Sequence, residues 1–366
     1  MEFSGQTVFL FVGFLSISAF LLRSKNDRNL SLFIAISIIT LFLAIRYNWG
    51  SDYPNYKKNF DYIVNGGGME SFEINSVFAF FIQEHDVGWY TLVWLFKETS
   101  FYFFIACITI FEMIVIYISI KSFVDKKWYW LAFMILFFHP LILLLLVTTI
   151  RQYLAQILFI LAAIIIERKY KTSILLMLVA VTIHMSAVYF VLIFVLTYSL
   201  SKPIPVKVYL TILIMLFFIV PFIPISTFLS FGNDKIEGYV ETSGKFASLG
   251  FGVLLQVLIN SVLLYYSKSL DKRSRLVVNL FAFSSFVYPI TGLAPMFMRL
   301  SYYHFMFGYL AIPIIYQQSK TNKLILLGTF ISLCTFLSIQ LYEFFSTSIY
   351  SDGFRTYQTI FSAPDL

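Results

Sequence analysis

Ten runs of apolar residues constrain the fold of this chain more strongly than any other feature of its sequence. Each run approaches the length of about 17–25 residues that a helix needs to cross a bilayer. Charged residues make up only 12% of the chain and the mean hydropathy is +0.83, values that exclude a soluble globular domain. The sequence therefore predicts an all-α polytopic integral membrane protein with about ten full transmembrane helices. The runs lie near residues 5–22, 30–45, 101–120, 128–147, 150–166, 208–225, 250–267, 276–290, 300–317 and 324–342.

The charged residues between the runs predict the side of the membrane on which each loop lies. Six loops carry an excess of basic residues, which favours the cytoplasmic side. Three other segments carry more acidic than basic residues and should be extracytoplasmic, together with both chain termini. The formal net charge of +7 follows from this topology and indicates no nucleic-acid partner. The basic loops lie at 23–28, 121–127, 167–171, 202–207, 268–275 and 320–323, and the acidic segments at 46–100, 227–249 and 343–366.

Residues 172–200 lie between two predicted cytoplasmic loops and must therefore cross the membrane an even number of times. They are too few for two full spans at about 1.5 Å per residue. The sequence predicts a broken or re-entrant helix pair whose halves meet at residues 182–186. Irregular backbone at membrane depth survives only where protein or a wet cavity covers it, which makes His184 a candidate site residue. A histidine that merely bonds to a neighbouring helix is the alternative.

We find no internal repeat, so residues 1–366 are expected to form a single membrane domain. The first run lacks a basic stretch before it and a cleavage site after it, and is expected to stay as a span. In the long outer loop, a glycine hinge at 66–68 precedes apolar segments 77–82 and 89–96, which are short enough to lie in the interface. The two cysteines fall inside predicted spans, and no metal or nucleotide motif is present, so no cofactor is expected.

Arg46, Arg151 and Arg299 each stand at an end or break of an apolar run. A charge within such a run costs roughly 2.5–3.5 kcal/mol on insertion scales, a cost that usually marks function. The predicted topology puts all three on the outer face with His184, and we interpret them as one anion site. Arg151 and Gln152 open a span, where free amide groups and an arginine fork favour phosphate. A single arginine near a helix end can equally snorkel to the interface.

Other polar residues have two interpretations each. Residues 46–56 mix a cation, a carboxylate and phenols, which suits sugar binding but also an interfacial anchor. Glu112 lies deep in a span and fits either a proton-coupled transporter or a buried ion pair. His139 and His304 are weaker site candidates, and His85 is expected in a loop.

Four segments, in order, resemble motifs of the EpsG-like, Wzy-type bacterial polysaccharide polymerases. Asp86 stands where that family usually has Glu-Pro-Gly-aromatic; its side chain is shorter and the proline is missing, so we assign it no catalytic role. The insertion around residues 66–75 also loosens the alignment there. The matching segments are IRYNWGSDYPNY from residue 45, IRQYLAQILF from 150, IHMSAVYF from 183 and RLSYYH from 299.

The resemblance implies a GT-C-like glycosyltransferase of the bacterial cytoplasmic membrane whose active site faces the exterior. Such an enzyme moves a growing glycan from polyprenyl diphosphate to the terminal sugar hydroxyl of another lipid-linked repeat unit, without a metal. We expect Arg151 and Arg299 to hold the diphosphate, and His184 or Asp52 to act as the base, with His184 favoured because arginines weaken a nearby carboxylate as a base. The product would be O-antigen, capsule or exopolysaccharide, and a chain-length regulator is a conceivable partner. The expected substrate-binding residues are Arg46, Tyr53, Tyr56, Gln152, Tyr302 and Tyr303.

Three alternatives stay open. A lipid-linked oligosaccharide flippase or another transporter would need a cationic cavity open to both sides, whereas the candidate cations are predicted on one face. A glycan ligase would use the same donor and the same arginines with a different acceptor. A purely structural membrane subunit would not explain four ordered motifs.

Overall fold

The computed structural model describes residues 4–21, 27–66, 86–200, 202–222, 250–291, 297–318, 323–346 and 352–362. These residues are almost entirely helical, as predicted, with one pair of two-residue strands. The first part of the chain contains α1 (Gly5–Leu21), α2 (Arg28–Ala44), β1 (Arg46–Tyr47), α3 (Tyr53–Val64), α4 (Val87–Leu95), α5 (Phe101–Phe123), α6 (Tyr129–Phe138), α7 (Pro140–Thr148), α8 (Ile150–Ile165), α9 (Tyr170–Ile183) and α10 (Ala187–Leu200). It continues with α11 (Val206–Ile219), α12 (Phe251–Tyr266), α13 (Lys272–Ala282), α14 (Ser284–Thr291), α15 (Met298–Phe305), α16 (Gly308–Tyr316), α17 (Lys323–Ser346) and β2 (Gln358–Thr359).

Among the described residues, three helices have the length and hydropathy needed to cross a membrane: α5, the segment Phe251–Ser269 that begins with α12, and α17. The helix pair Lys126–Phe138 and Pro140–Thr148, bent by 52°, would be a fourth. Other apolar helices, such as α1, α2 and α8, are 10–17 residues long. The chain therefore has the helices of a membrane protein, while ten full spans and the sidedness of loops and termini stay predictions.

The apolar run at 128–147 is not the uninterrupted helix that its hydropathy suggests. α6 ends at Phe138, and α7 begins at Pro140, with His139 in extended conformation between them. Proline lacks an amide hydrogen and disfavours a helical conformation in the residue before it, so the helix breaks at this dipeptide. Hydropathy alone does not reveal the break because apolar residues continue on both sides.

The interruption predicted in residues 182–186 coincides with a gap between two helices. α9 ends at Ile183 and α10 begins at Ala187, and each helix has 14 residues. Whether the pair re-enters the membrane stays a prediction. Of the other predicted features, the interfacial segment at 89–96 corresponds to α4. The segment at 77–82, the loop at 227–249 and His85 lie outside the described residues.

The described residues divide into two compact units, Met1–Val191 with Gln340–Leu366, and Leu192–Ile339. In the first unit, α8 is buried on nearly every side and packs against α5, α7 and α9. Helix α1 packs against α2 and α6, with the ring of Phe9 stacked on that of Phe137 at 4.3 Å. Aromatic pairs of this kind add about 0.5–1.5 kcal/mol beyond area burial. A single membrane domain over residues 1–366 stays a prediction.

A short strand pair in the first unit joins the segment that follows α2 to residues 358–359. β1 and β2 are antiparallel, with Arg46 opposite Thr359 and Tyr47 opposite Gln358. The Gly50 amide donates to the Gly353 carbonyl at 2.8 Å. Gly50 has a φ of +122°, and a Cβ there would overlap the carbonyl of Val147 at the end of α7. This glycine therefore lets the segment that follows β1 pack against the helix end that precedes Arg151.

A buried polar cluster connects three helices of the second unit. The Asn260 side-chain amide of α12 donates to the Ala282 carbonyl at 3.1 Å and to Ser285 Oγ at 2.7 Å. Gln256, one turn earlier, donates to Ser284 Oγ at 3.2 Å. The cluster satisfies polar groups where α13 ends and α14 begins, so it stabilises this helix junction.

Candidate functional site

The carboxylate of Asp86 lies at the meeting point of α4, α8 and the break between α9 and α10. Its Oδ2 is 3.0 Å from Arg151 Nη1 and 3.4 Å from His184 Nδ1. Its Oδ1 accepts a hydrogen bond of 2.9 Å from the Met185 amide. Only 9% of the Asp86 side chain is exposed, against 33% for Arg151 and 22% for His184. We call Asp86, Arg151 and His184 the central triad.

The helix break places His184 where its ring can reach Asp86. His184 is the C-cap residue of α9: its amide donates to the Ala180 carbonyl at 3.0 Å, and its own carbonyl accepts from the Ala187 amide at 2.9 Å. Its φ of −152° and ψ of 111° are extended, so the chain leaves the α9 axis here. The Met185 amide has no helical acceptor, and Asp86 supplies one. The irregular backbone is thus satisfied within the protein.

Arg151 lies in the first turn of α8, directly after the end of α7. Its backbone amide donates to Tyr56 Oη at 3.4 Å, and its guanidinium carbon is 5.8 Å from the centre of the Tyr56 ring. First-turn amides have no helical acceptor and favour anions. The site thus combines an arginine fork, a helix start and a phenol on one partly exposed surface.

Glycine at position 88 allows α4 to approach the end of α9. A Cβ on Gly88 would overlap Thr182 Oγ1 and would lie 2.9 Å from the Thr182 carbonyl carbon and 3.0 Å from the Ile183 amide nitrogen. Such contacts with backbone cannot be relieved by a side-chain rotation. Gly88 therefore sets the distance at which Asp86, two residues earlier, meets His184.

Replacing Gly88 with alanine should push α4 away from α9 and separate Asp86 from His184. We expect a loss of about 1–3 kcal/mol in the free energy of unfolding, as for other overpacked sites. Thermal unfolding of the purified protein in detergent would measure the loss. Gly328→Ala is the matched control, because a Cβ there meets nothing within 4 Å, and it should leave the midpoint unchanged or raised. Equal midpoints for the Gly88→Ala variant and the wild type would contradict the close packing.

Tyr56 and Trp89 support the triad from α3 and α4. Their ring centroids are 5.6 Å apart, and Trp89 Nε1 donates to Asn59 Oδ1 at 3.1 Å. Burial raises the pKa of Tyr56, the Arg151 cation opposes this rise, and the nearby Asp52 carboxylate adds to it. Tyr56 therefore stays a neutral phenol, and Asp52 lies within electrostatic range of it.

Arg46 and Tyr53 form a separate, buried group of contacts in the first unit. Each is at most 1% exposed. The Arg46 guanidinium donates to the Leu43 carbonyl and, at 3.2 Å, to Thr109 Oγ1, while Tyr53 Oη donates to the Arg46 carbonyl at 3.4 Å. Glu112, also 1% exposed, lies within electrostatic range of Arg46. Neither carboxylate oxygen of Glu112 has a hydrogen-bond partner among the described residues, so the ion pair and the proton carrier stay alternative interpretations of this residue.

The structure places the remaining candidates as follows. Gln152, beside Arg151 on α8, is 2% exposed. In the second unit, Arg299 is exposed on α15, whereas Tyr302 and Tyr303 of the same helix are 5% and 1% exposed. His304 is buried with Nδ1 2.7 Å from the Leu280 carbonyl, which indicates a structural role. His139 is buried at the break between α6 and α7.

Asp86 is the residue of this site that the sequence did not lead us to select. Its shorter side chain and missing proline, relative to the family pattern, argued against a role. The glycine of Asp-Val-Gly-Trp, which the family pattern also has, was the available signal, since it permits the close approach of α4 to the end of α9.

The chain also matches a known protein family. No characterised protein and no solved structure shows significant similarity to it. The family model described as "EpsG family" matches residues 29–359, and thus covers the motifs at 45–56, 150–159, 183–190 and 299–304 together with Asp86. Because the match extends over most of the sequence, this chain belongs to the EpsG family.

Proposed function

We propose that this protein is a polysaccharide polymerase that joins lipid-linked repeat units at the outer face of the bacterial cytoplasmic membrane. Membership of the EpsG family indicates a polymerase-like membrane protein of polysaccharide biosynthesis. The observation that carries the more specific proposal is the central triad, in which a partly exposed arginine and a histidine share one carboxylate oxygen.

The proposed reaction needs a cation and a base side by side. The bond between the donor sugar and the diphosphate breaks, and negative charge develops on the diphosphate. A new bond forms between that sugar carbon and the acceptor hydroxyl oxygen, and the hydroxyl proton passes to the base. Arg151 would stabilise the leaving diphosphate at the start of α8, where the helix dipole also favours an anion, because preorganised donors act most strongly where charge develops. His184 would take the proton, since its Nδ1 and Arg151 Nη1 contact the same oxygen of Asp86.

The other candidate residues have less direct roles in this proposal. Tyr56, half-buried beside Arg151, is suited to contact a sugar, and Asp52 is the second candidate for the base. For Arg46 and Tyr53, whose contacts are internal, we propose that they hold the segment after β1 in place for Tyr56. Arg299, Tyr302 and Tyr303 stay candidates from the sequence motif, and Gln152 from its position beside Arg151.

In vitro polymerisation tests the proposal. Purified protein in liposomes is supplied with a polyprenyl-diphosphate-linked repeat unit, in the presence and in the absence of a metal chelator. A ladder of products in both conditions is expected from a metal-independent polymerase. Transfer to an unrelated acceptor without a ladder would indicate a ligase. Movement of the lipid across the membrane without a ladder would overturn the proposal in favour of a flippase.

A further inference from the structure

We propose that Asp86 is a positioning residue that fixes the tautomer of His184, with the proton on Nδ1, and so makes Nε2 the atom that accepts the acceptor-hydroxyl proton. This inference rests on the proposed function for its chemical meaning. The tautomer itself is a property of the resting protein and can be tested without activity.

The hydrogen-bond donors around Asp86 indicate which nitrogen of His184 carries the proton. An ionised carboxylate can only accept hydrogen bonds. Two of its three neighbours, Arg151 Nη1 and the Met185 amide, are donors whatever their surroundings. The third, His184 Nδ1, lies 3.4 Å from Oδ2, and it can bond to this oxygen only if it carries a hydrogen. In a neutral imidazole, the lone pair is then on Nε2.

Charge balance supports a neutral histidine at this position. Arg151 and Asp86 form an ion pair at 3.0 Å, which leaves the carboxylate compensated before the imidazole is counted. His184 therefore need not be a cation to occupy its place. The two ring nitrogens lie on opposite edges of the imidazole, so Nε2 points away from Asp86. With 22% of the His184 side chain exposed, the ring is not sealed inside the protein.

The packing around Asp86 fixes this orientation. Asp86 precedes α4, whose start is held against Thr182 and Ile183 by the close approach at Gly88. Its Oδ1 is engaged by the Met185 amide, which belongs to the same helix break as His184. Asp86 is thus fixed by the packing of α4 and by the Met185 amide. A carboxylate must be fixed in this way if it is to select one tautomer of the imidazole beside it.

Asp86→Asn is the decisive variant because it preserves shape and removes one acceptor. The new carbonyl can still accept from the Met185 amide, which is backbone and cannot turn away. The new amide group then faces His184, and the Arg151 side chain, 33% exposed, is free to rotate away from it. That group donates, so His184 Nδ1 must accept, and the proton moves to Nε2. A base with its proton on Nε2 cannot take another there, and we expect kcat to fall about 10²–10⁴-fold. The KM for the lipid-linked donor should stay unchanged or fall, since Arg151 loses its competing carboxylate.

Nitrogen-15 NMR of histidine-labelled protein in nanodiscs reports the tautomer directly. The four histidines give separable ring signals, and the set that disappears in His184→Gln belongs to His184. We expect a protonated Nδ1 and an unprotonated Nε2 in the wild type, and the reverse in Asp86→Asn. Asp61→Asn is the matched control, because Asp61 is exposed and pairs with Lys57 at 3.2 Å, and it should change neither the spectrum nor the rate.

The outcomes separate this inference from the proposed function. A wild-type His184 with its proton on Nε2 would overturn the inference even if Asp86→Asn fails to fold. An unchanged tautomer in a folded Asp86→Asn variant would overturn it too, as would equal losses in kcat and donor affinity. The expected tautomers in a protein that makes no ladder would support the role of Asp86 and reject the polymerase.

Discussion

Arg151→Ala is expected to lower the polymerisation rate by about 10²–10³-fold, the loss typical of removing one preorganised donor to a developing negative charge. The variant should also bind the lipid-linked donor more weakly, because in the proposed complex the guanidinium would contact the diphosphate in both the ground state and the transition state. Initial rates of ladder formation, together with equilibrium binding of the donor, would measure the two effects.

Stability must be separated from chemistry in this variant. Removing Arg151 leaves the Asp86 carboxylate, 9% exposed, without its cation, and an uncompensated buried charge is destabilising. Arg151→Lys keeps a charge near Asp86 but loses the fork that grips two phosphate oxygens, so its activity should lie between those of alanine and arginine. Arg168→Ala, at the exposed turn after α8, is the control and should be active. Donor binding to a folded Arg151→Ala variant with wild-type affinity would contradict a diphosphate site at this residue.

His184→Gln is expected to reduce kcat by about 10²–10⁴-fold with little change in donor affinity. Glutamine can still bond to Asp86 but cannot take up a proton, while Arg151 and the start of α8 are retained. Single-turnover rates at saturating donor would isolate the proton-transfer step from binding.

Asp52→Asn, measured alongside, decides between the two candidate bases. If His184 is the base, the Asp52 variant should retain most of its activity, because Asp52 would then act on the site through its electrostatic effect on Tyr56. The opposite result, an active His184→Gln and an inactive Asp52→Asn, would assign the base to Asp52. It would leave the cationic site at Arg151 intact.

The two largest expected effects come from residues whose positions in the helices were predictable. Arg151 is a charged residue between two apolar runs. Residues 172–200 would cross the membrane once as a single helix, but the flanking basic loops require an even number of crossings, which indicated a break near His184. Both patterns depend on residues close in sequence. The two residues come together only through Asp86, which is 65 residues from Arg151 and 98 from His184 along the chain.

The type and position of Arg46 in the sequence do not determine whether it binds a ligand or bonds within the protein. A cation at the end of an apolar run can face a ligand or bond within the protein, and either partner offsets the free-energy cost of burying the charge. Here, the Leu43 carbonyl and Thr109 accept hydrogen bonds from it, and Glu112 lies within electrostatic range. Thr109 and Glu112 lie on α5, and the packing of α2 against α5 determines which environment Arg46 has.

The sequence by itself determined the helical, membrane-type character of this chain, the interruption between α9 and α10, and the family to which it belongs. These properties follow from hydropathy, loop charge and short ordered motifs, which act over one or two helix lengths. The tertiary structure alone decided that Asp86 joins Arg151 and His184, and that β2 pairs with β1, which is distant in sequence. The physical reason is that such contacts require close packing of distant helices, here permitted at Gly88 and Gly50, and no local pattern encodes the partner of a side chain.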